Sequence, residues 1–277
     1  MRIEDIACGL TQDSNGIWRS EVHEELSYPK DGNQRCLMLE DESFWFRHRN
    51  NCIVAAVGQY PPAGCILDVG GGNGYVARRM IDEGFRAAVL EPGEEGALNA
   101  KLRRRVPEVF CVSLKDSGLP GNSMAAIGLF DVLEHIEDDR RFLKRVWRVL
   151  KPGGMLYMTV PLHSWLWSLS DIVAGHYRRY SHRRIVELIG AQFELLLCTS
   201  IFGALVLPVL ALRVGPFRLG LARERNVLSA ASEHGVSGGL MAKLLDRFLR
   251  REVDDAALAR RRRLGTSCLL VARKRAI

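Results

Sequence analysis

A chain of 277 residues, 47% apolar and 26% charged, can bury one sizeable core with a small appended subdomain, which excludes a wholly disordered polymer. Its seven cysteines lie far apart with no C-x-x-C pair, so neither a disulfide framework nor a zinc site is expected and no metal ligand set is assigned. The net charge of +7 is uneven: from residue 202 onward fifteen Lys or Arg face six Asp or Glu, a local balance of +9 that suits either an anionic partner or a solvated arginine-rich surface.

Glu4, Asp5 and Asp13 near the start, with no apolar run among them, give no sign of a secretion signal, and a reducing cytoplasmic setting is expected. Residues 1–42 read as an N-terminal extension of weak periodicity, with turn signals at Asn15-Gly16 and at 31–33. Residues 43–60 read as a helix, broken by Pro61 and Pro62. Short apolar runs then alternate with helical stretches. Strands are expected at 65–69, 87–90, 109–113, 125–130 and 155–160. Helices are expected at 75–83, at 94–105 and around Phe142, Leu143, Val146, Val149 and Leu150, the last ended by residues 151–154, Lys-Pro-Gly-Gly. Strands joined through single helices make βαβ units, hence a doubly wound α/β domain with a mostly parallel sheet.

The first strand runs into residues 68–74, Asp-Val-Gly-Gly-Gly-Asn-Gly. Glycines at a strand-to-helix turn let backbone approach a ligand closely, and the helix start offers free N–H donors. A dinucleotide fingerprint needs a third glycine at position 75, where this chain has Tyr75. The spacing is instead Gly70, Gly72, Gly74, which argues against a nicotinamide oxidoreductase. Glu91 closes the next strand twenty-one residues after Gly70, where a carboxylate can accept from ribose hydroxyls.

Residues 66–74 resemble the first motif of class I (Rossmann-like) S-adenosylmethionine-dependent methyltransferases. Residues 129–136, Leu-Phe-Asp-Val-Leu-Glu-His-Ile, resemble that family's fourth-strand motif, and 150–156, Leu-Lys-Pro-Gly-Gly-Met-Leu, the motif leading into strand five. The resemblance implies a Rossmann-like fold with an antiparallel strand seven, here 266–272, and S-adenosyl-L-methionine as cofactor. By position it also implies Asp68, Gly70, Gly72, Asn73 and Gly74 along the methionine part, Glu91 and Pro92 at the ribose, and Ser113 with Leu114 beside the adenine. Phe130, Asp131 and Val132 would line the reactive end. An acidic residue often follows strand three in the family; Ser113-Leu-Lys115 stands there instead, so backbone contacts to adenine are expected.

Methyl transfer from a sulfonium is an in-line displacement, so alignment can contribute on the order of 7–11 kcal/mol. A general base adds only if the acceptor must lose a proton. His135, at the carboxyl edge of the sheet, is the first candidate base, against a plain helix-capping role. His163 and His176 follow in the loop after strand five, with Trp165, Tyr177, Arg178, Arg179 and Tyr180. These suit positioning an acceptor and gripping its phosphate or carboxylate, against a packed lid. In the entry helix, Phe46 and Arg49 are candidates to face substrate or cofactor, against an amphipathic helix packed on the sheet.

Residues 195–212 carry no charge, and read as strand six followed by a short apolar helix. Leu240, Met241, Leu244, Leu245, Phe248 and Leu249 make an apolar stripe opposite Lys243, Arg247, Arg250 and Arg251. The domain is thus expected to comprise 43–201 and 264–277. A helical insertion at 202–263 would select substrate, touch the inner face of a membrane through 202–251, or form a homodimer contact. The expected acceptor is a small or lipid-linked molecule, sugar-like or natural-product-like. A nucleic-acid methyltransferase is the alternative, disfavoured because no base-flipping motif or RNA-binding module is present. A non-catalytic cofactor-binding protein is another.

Overall fold

The computed structural model describes residues 9–20, 32–222 and 240–276; the side chains of 35 and 240–244 lie outside the description. Among the described residues nine strands form one sheet: β1 (Thr11–Gln12), β2 (Trp18–Arg19), β3 (Ile66–Val69), β4 (Ala87–Leu90), β5 (Val109–Cys111), β6 (Met124–Phe130), β7 (Leu150–Pro161), β8 (Phe193–Ile201) and β9 (Ser267–Lys274). Their order is β1-β2-β5-β4-β3-β6-β7-β9-β8. β3 pairs in parallel with both β4 and β6, so the winding direction reverses there and a crevice opens at the carboxyl ends of those strands. β9 runs antiparallel between β7 and β8. The Rossmann-like doubly wound sheet with a late antiparallel strand matches the expectation.

Buried strands alternate their side chains between two cores. Leu67, Leu90, Ile127 and Leu156 pack under α5 (Asp139–Val149) and α7 (His182–Ile189). Ile66, Val89, Ala126 and Tyr157 face α2 (Phe44–Gln59) and α3 (Tyr75–Asp82). Helix starts follow capping chemistry: Ser43 accepts from the Trp45 N–H at 3.2 Å, and Asp138 from the Arg141 N–H at 2.9 Å.

Four differences from the sequence reading have physical causes. Asn15-Gly16 closes a β1–β2 hairpin, whose Asp13 carboxylate takes the Asn15 and Ile17 N–H groups and pairs with Arg19 at 2.7 Å. Two-residue strands leave no periodicity to read. The turn signal at 31–33 stands at the start of α1 (Gly32–Glu40), not in an irregular stretch. Lys-Pro-Gly-Gly does end α5, but the chain is already extended at Leu150, which pairs with Met124 before the register jumps to Ala126 and Met155. Helix α4 (Glu94–Leu98) continues as a π-helical turn over Asn99–Arg103.

After β8 the chain forms α8 (Val206–Val209), a π-helical turn over Leu210–Val214 and α9 (Gly215–Arg218), with α6 (Leu169–Val173) nearby; α10 (Leu240–Ala257) precedes β9. No described helix is long and apolar enough to cross a membrane. α10 packs on α2 through Leu249, Val253 and Ala256. Phe248, expected on the apolar stripe, is 48% exposed, because a helix fixed on that face turns it outward. Leu240, Met241, Lys243 and Leu244 fall outside the described side chains, as does the segment 223–239 of the insertion.

Candidate active site

The turn after β3 needs glycine on steric grounds. Gly70, Gly72 and Gly74 all have positive φ, at +69°, +52° and +76°. A Cβ on Gly70 would stand 2.9 Å from Val132 Cγ2, and one on Gly74 2.9 Å from Ala100 Cβ. The loop is therefore clamped between β6 and the helix after β4. Glu91, buried at the end of β4, accepts from the Gly72 N–H at 2.8 Å and the Gly93 N–H at 2.7 Å, which ties the loop to the next crossover.

Asp68 lies beneath this loop at 1% exposure. Its Oδ2 has no hydrogen-bond partner among the described residues. Burial, opposed by the charge of Arg49, pushes its pKa up to about 7. Arg49 reaches in from α2, pairs with Asp131 and lies over the rings of Trp45 and Phe46 at 4.9 and 5.4 Å. Asp131, at φ +57°, also accepts from Thr159 Oγ1 at 3.0 Å.

These groups open onto one cavity of about 790 Å³. At the glycine end its wall includes Phe46, Arg49, Asp68, Gly70, Gly72 and Asn73, continuing through Glu91, Pro92, Phe130, Asp131 and Val132. At the far end it includes His135, Asp171, His176 and Arg179. The two ends meet at Glu134, which is fully buried. Its carboxyl is held well above the usual carboxylate range by burial and by neighbouring Asp131.

The far end is a relay of rings and carboxylate. His135 and His176 stand edge to face with centroids 4.8 Å apart. Burial and His176 bring the His135 pKa down to about 4, so this ring is neutral under ordinary conditions. His176 Nδ1 lies 3.0 Å from Asp171 Oδ1, and Arg179 Nε donates to the same oxygen at 2.7 Å. The other Asp171 oxygen accepts from the Ser168 N–H and hydroxyl. Burial works to raise the Asp171 pKa, but His176 and Arg179 hold it below the usual value. With one proton on the His176 ring, Asp171 fixes it on Nδ1 and leaves Nε2 as acceptor. One ligand atom each from Glu134, His135 and His176 also falls within 4.8 Å of the others, a grouping no linear spacing reveals.

Several expected site residues stand elsewhere. Ser113 turns its hydroxyl to Asp116 at 2.7 Å and Leu114 packs into the core, so neither side chain reaches the cavity. Gly74 serves the clamp described above. Asn73 touches the cavity, yet its side chain holds α1 down through the Asn33 carbonyl at 2.7 Å and Glu40 at 3.0 Å. His163, at φ +63°, stacks on Trp165 away from the cavity. Trp165 and Tyr177 are 41% and 47% exposed, and the buried Tyr180 hydroxyl bonds the Leu133 carbonyl and Asp139. Arg178 faces outward to the Glu137 carbonyl and Asp139.

Sequence reasoning missed three contributors. Asn33, Cys36 and Glu40 bring α1 over the glycine loop. Glu134 was legible only as a structural neighbour of His135. Leu205, Pro208, Val209, Leu212 and Arg213 roof the far end, and Arg213, at the end of an uncharged run, was the readable signal.

Residues 42–195 match the model of a family described as a methyltransferase domain. A probable S-adenosylmethionine-dependent methyltransferase of Mycolicibacterium smegmatis is 26% identical over 82% of this chain and 91% of its own. A ubiquinone biosynthesis O-methyltransferase of Paramagnetospirillum magneticum is 28% identical over 40% of this chain and 46% of its own. The solved structure of a SAM-dependent methyltransferase of Thermotoga maritima shares the fold, with a TM-score of 0.54 and 17% identity, over 88% of this chain and all of that one.

Proposed function

The chain belongs to the methyltransferase-domain family, and on that footing we propose that it methylates a small or lipid-linked acceptor seated against the loop after β7. It is an enzyme that uses S-adenosyl-L-methionine. The observation that carries the site assignment is Asp68 Oδ2, a buried carboxyl oxygen with no partner among the described residues, beside a loop where a Cβ at Gly70, Gly71 or Gly74 would clash. A buried polar atom left unpaired asks for a ligand donor, and the cofactor's α-ammonium is of the right charge.

The cofactor supplies a methyl group on a sulfonium, which leaves without needing a proton. Around it, Gly70 and Gly72 let backbone close on the methionine part, and the spare lone pairs of Glu91 face the ribose hydroxyls. Arg49, stacked on Trp45 and Phe46, supplies a cation for the carboxylate. Phe130 and Val132 exclude water from the reactive end. On the acceptor side, Nε2 of His176, backed by Asp171, takes the one proton that leaves a hydroxyl acceptor, and the neutral ring of His135 stands edge to face beside it to orient that hydroxyl. Leu205, Pro208 and Leu212 give the acceptor's body an apolar wall. The outer side of the same segment carries Leu207 and Leu219, both about three-quarters exposed, which favours an acceptor presented at a lipid surface on the inner face of the membrane.

The test is calorimetric. Wild-type protein should bind S-adenosylhomocysteine, while Gly72→Val, which fills the left-handed turn, and Glu91→Ala, which also frees two backbone N–H groups, should each lose at least about a hundredfold in affinity. Wild-type affinity in both variants would withdraw the site.

A further inference from the structure

Among the described residues three guanidinium groups line the cavity, and two of them already hold an ion pair through one of their nitrogens. Arg49 pairs with Asp131. Arg179 donates to Asp171 at 2.7 Å and to the Leu162 carbonyl at 3.2 Å. Arg213, in the π-helical turn that roofs the far end, has no hydrogen bond or ion pair among the described residues. It is half-buried. Burial and the like charge of Arg179 both disfavour its charged form, and only Asp171 acts the other way. A guanidinium cannot escape by losing its proton, because its pKa lies too high. Asp171 cannot neutralise it either, since all its acceptor positions described above are taken by His176, Arg179 and Ser168.

The neighbours of Arg213 locate it. Its π-helical turn over Leu210–Val214 packs against α6, which carries Asp171, and the charges that act on Arg213 are those of Arg179 and Asp171. Arg49 is the cation that acts on Asp68; Glu40 feels Arg104 before Arg49, Glu134 feels Arg49 and Arg179, and Arg213 acts on none of the three. Arg213 therefore belongs to the acceptor end and not to the glycine loop, and Arg49 is the cation placed for the cofactor's carboxylate. Its fork of donors matches a carboxylate or phosphate in a bidentate pair. Leu212 and Pro208 of the same segment flank it, so a charged head would be gripped while an apolar body lies against the roof.

We propose that Arg213 binds an anionic group of the acceptor, a carboxylate or a phosphate, and so sets the acceptor's reacting atom against the His135–His176 pair. The proposal rests on the methyltransferase reading. It moves the anion grip from Arg178 and Arg179, where the sequence pointed, to a residue of the insertion. It also makes the insertion the part of the chain that selects substrate.

The experiment uses the full chain and three titrations. S-adenosylhomocysteine is titrated first; the loaded protein is then titrated separately with inorganic phosphate and with benzoate. Wild-type protein should bind at least one anion saturably. Arg213→Gln should weaken that anion about tenfold or more, Arg213→Lys should restore part of it, and all three proteins should hold S-adenosylhomocysteine alike. Preference for phosphate marks a phosphorylated acceptor, and preference for benzoate a carboxylated one. Saturable binding of neither anion, or equal binding by Arg213→Gln, overturns the proposal. So does a loss confined to S-adenosylhomocysteine, which would hand Arg213 to the cofactor. A wild-type protein that binds no S-adenosylhomocysteine would instead strike the methyltransferase reading itself, and this inference with it.

Discussion

Asp68 holds a carboxyl at 1% exposure in the wall of the cavity, and the titration of that one group has two opposite consequences. Its pKa is raised from 3.8 to about 7 by burial, so between those values the folded chain binds a proton that the unfolded chain has released. Stability of the cofactor-free protein should then fall as pH rises from about 4 to 7, and Asp68→Asn should flatten that slope. Ligand affinity should move the other way, because only ionised Asp68 pairs with an ammonium. S-adenosylhomocysteine should bind about fivefold more weakly at pH 6 than at pH 7 in the wild type, and with no such change in Asp68→Asn. Parallel denaturation and calorimetry series read both slopes; a pH-independent affinity in the wild type would remove Asp68 from the ammonium site. At the acceptor end, His135→Ala and His176→Ala should each lower turnover by about a hundredfold or more with cofactor affinity within a few-fold. Unchanged turnover in either variant would reduce that ring to packing.

Glu252 of α10 joins three elements by one side chain. It is buried, with Oε2 2.8 Å from His48 Nε2 of α2, while its two oxygens accept the Phe202 and Gly203 N–H groups at the exit of β8, each at 2.7 Å. Phe202 is thereby held in a left-handed conformation, stacked on Trp45 at 5.3 Å. Glu252→Ala would strand His48 and two backbone donors, so it should cost about 3–5 kcal/mol in urea denaturation. Glu252→Gln keeps a hydrogen-bonding partner for some of these and should cost less; equal losses would deny the staple. No pattern of hydrophobicity announces such a group, because an acidic residue in a basic amphipathic helix reads as solvated. The same distinction governs what could be read from the chain as a whole. β3 to β7 and the turn at 70–74 were legible because their signals are local: apolar runs, a Lys-Pro-Gly-Gly stop, three glycines at fixed spacing. Asp171 and Arg213 lie 42 positions apart and meet only through the roof of the cavity. Ser113 and Tyr180 show the converse: a loop position fits a role, but the side chain is claimed by Asp116 in one case and by Asp139 in the other.

Across the whole molecule, one sheet carries two differently built ends. The cofactor end is assembled from β3, β4 and α2, where carboxylates predominate. The acceptor end takes its roof from the segment after β8, in the part of the chain whose charge balance is +9. That roof lines the cavity with Leu205, Pro208 and Leu212, the last at the rim and 76% exposed, and carries Leu207, Leu219 and Leu221 outside the lining at 75%, 74% and 67% exposure. Arg218, which donates to the Trp165 carbonyl, stands beside them. Exposed leucines among arginines bind weakly to neutral lipid and more strongly to anionic lipid, since apolar insertion and charge attraction add. The full chain should therefore sediment with phosphatidylglycerol-containing vesicles, more weakly with pure phosphatidylcholine, and less as salt is raised. Leu207→Asp combined with Leu219→Asp should release it from the vesicles at least tenfold while leaving S-adenosylhomocysteine affinity unchanged. Binding that survives the double substitution would mean that charge alone holds the protein there. No binding to either vesicle would detach the roof from lipid and leave Arg213 to receive an acceptor free in solution.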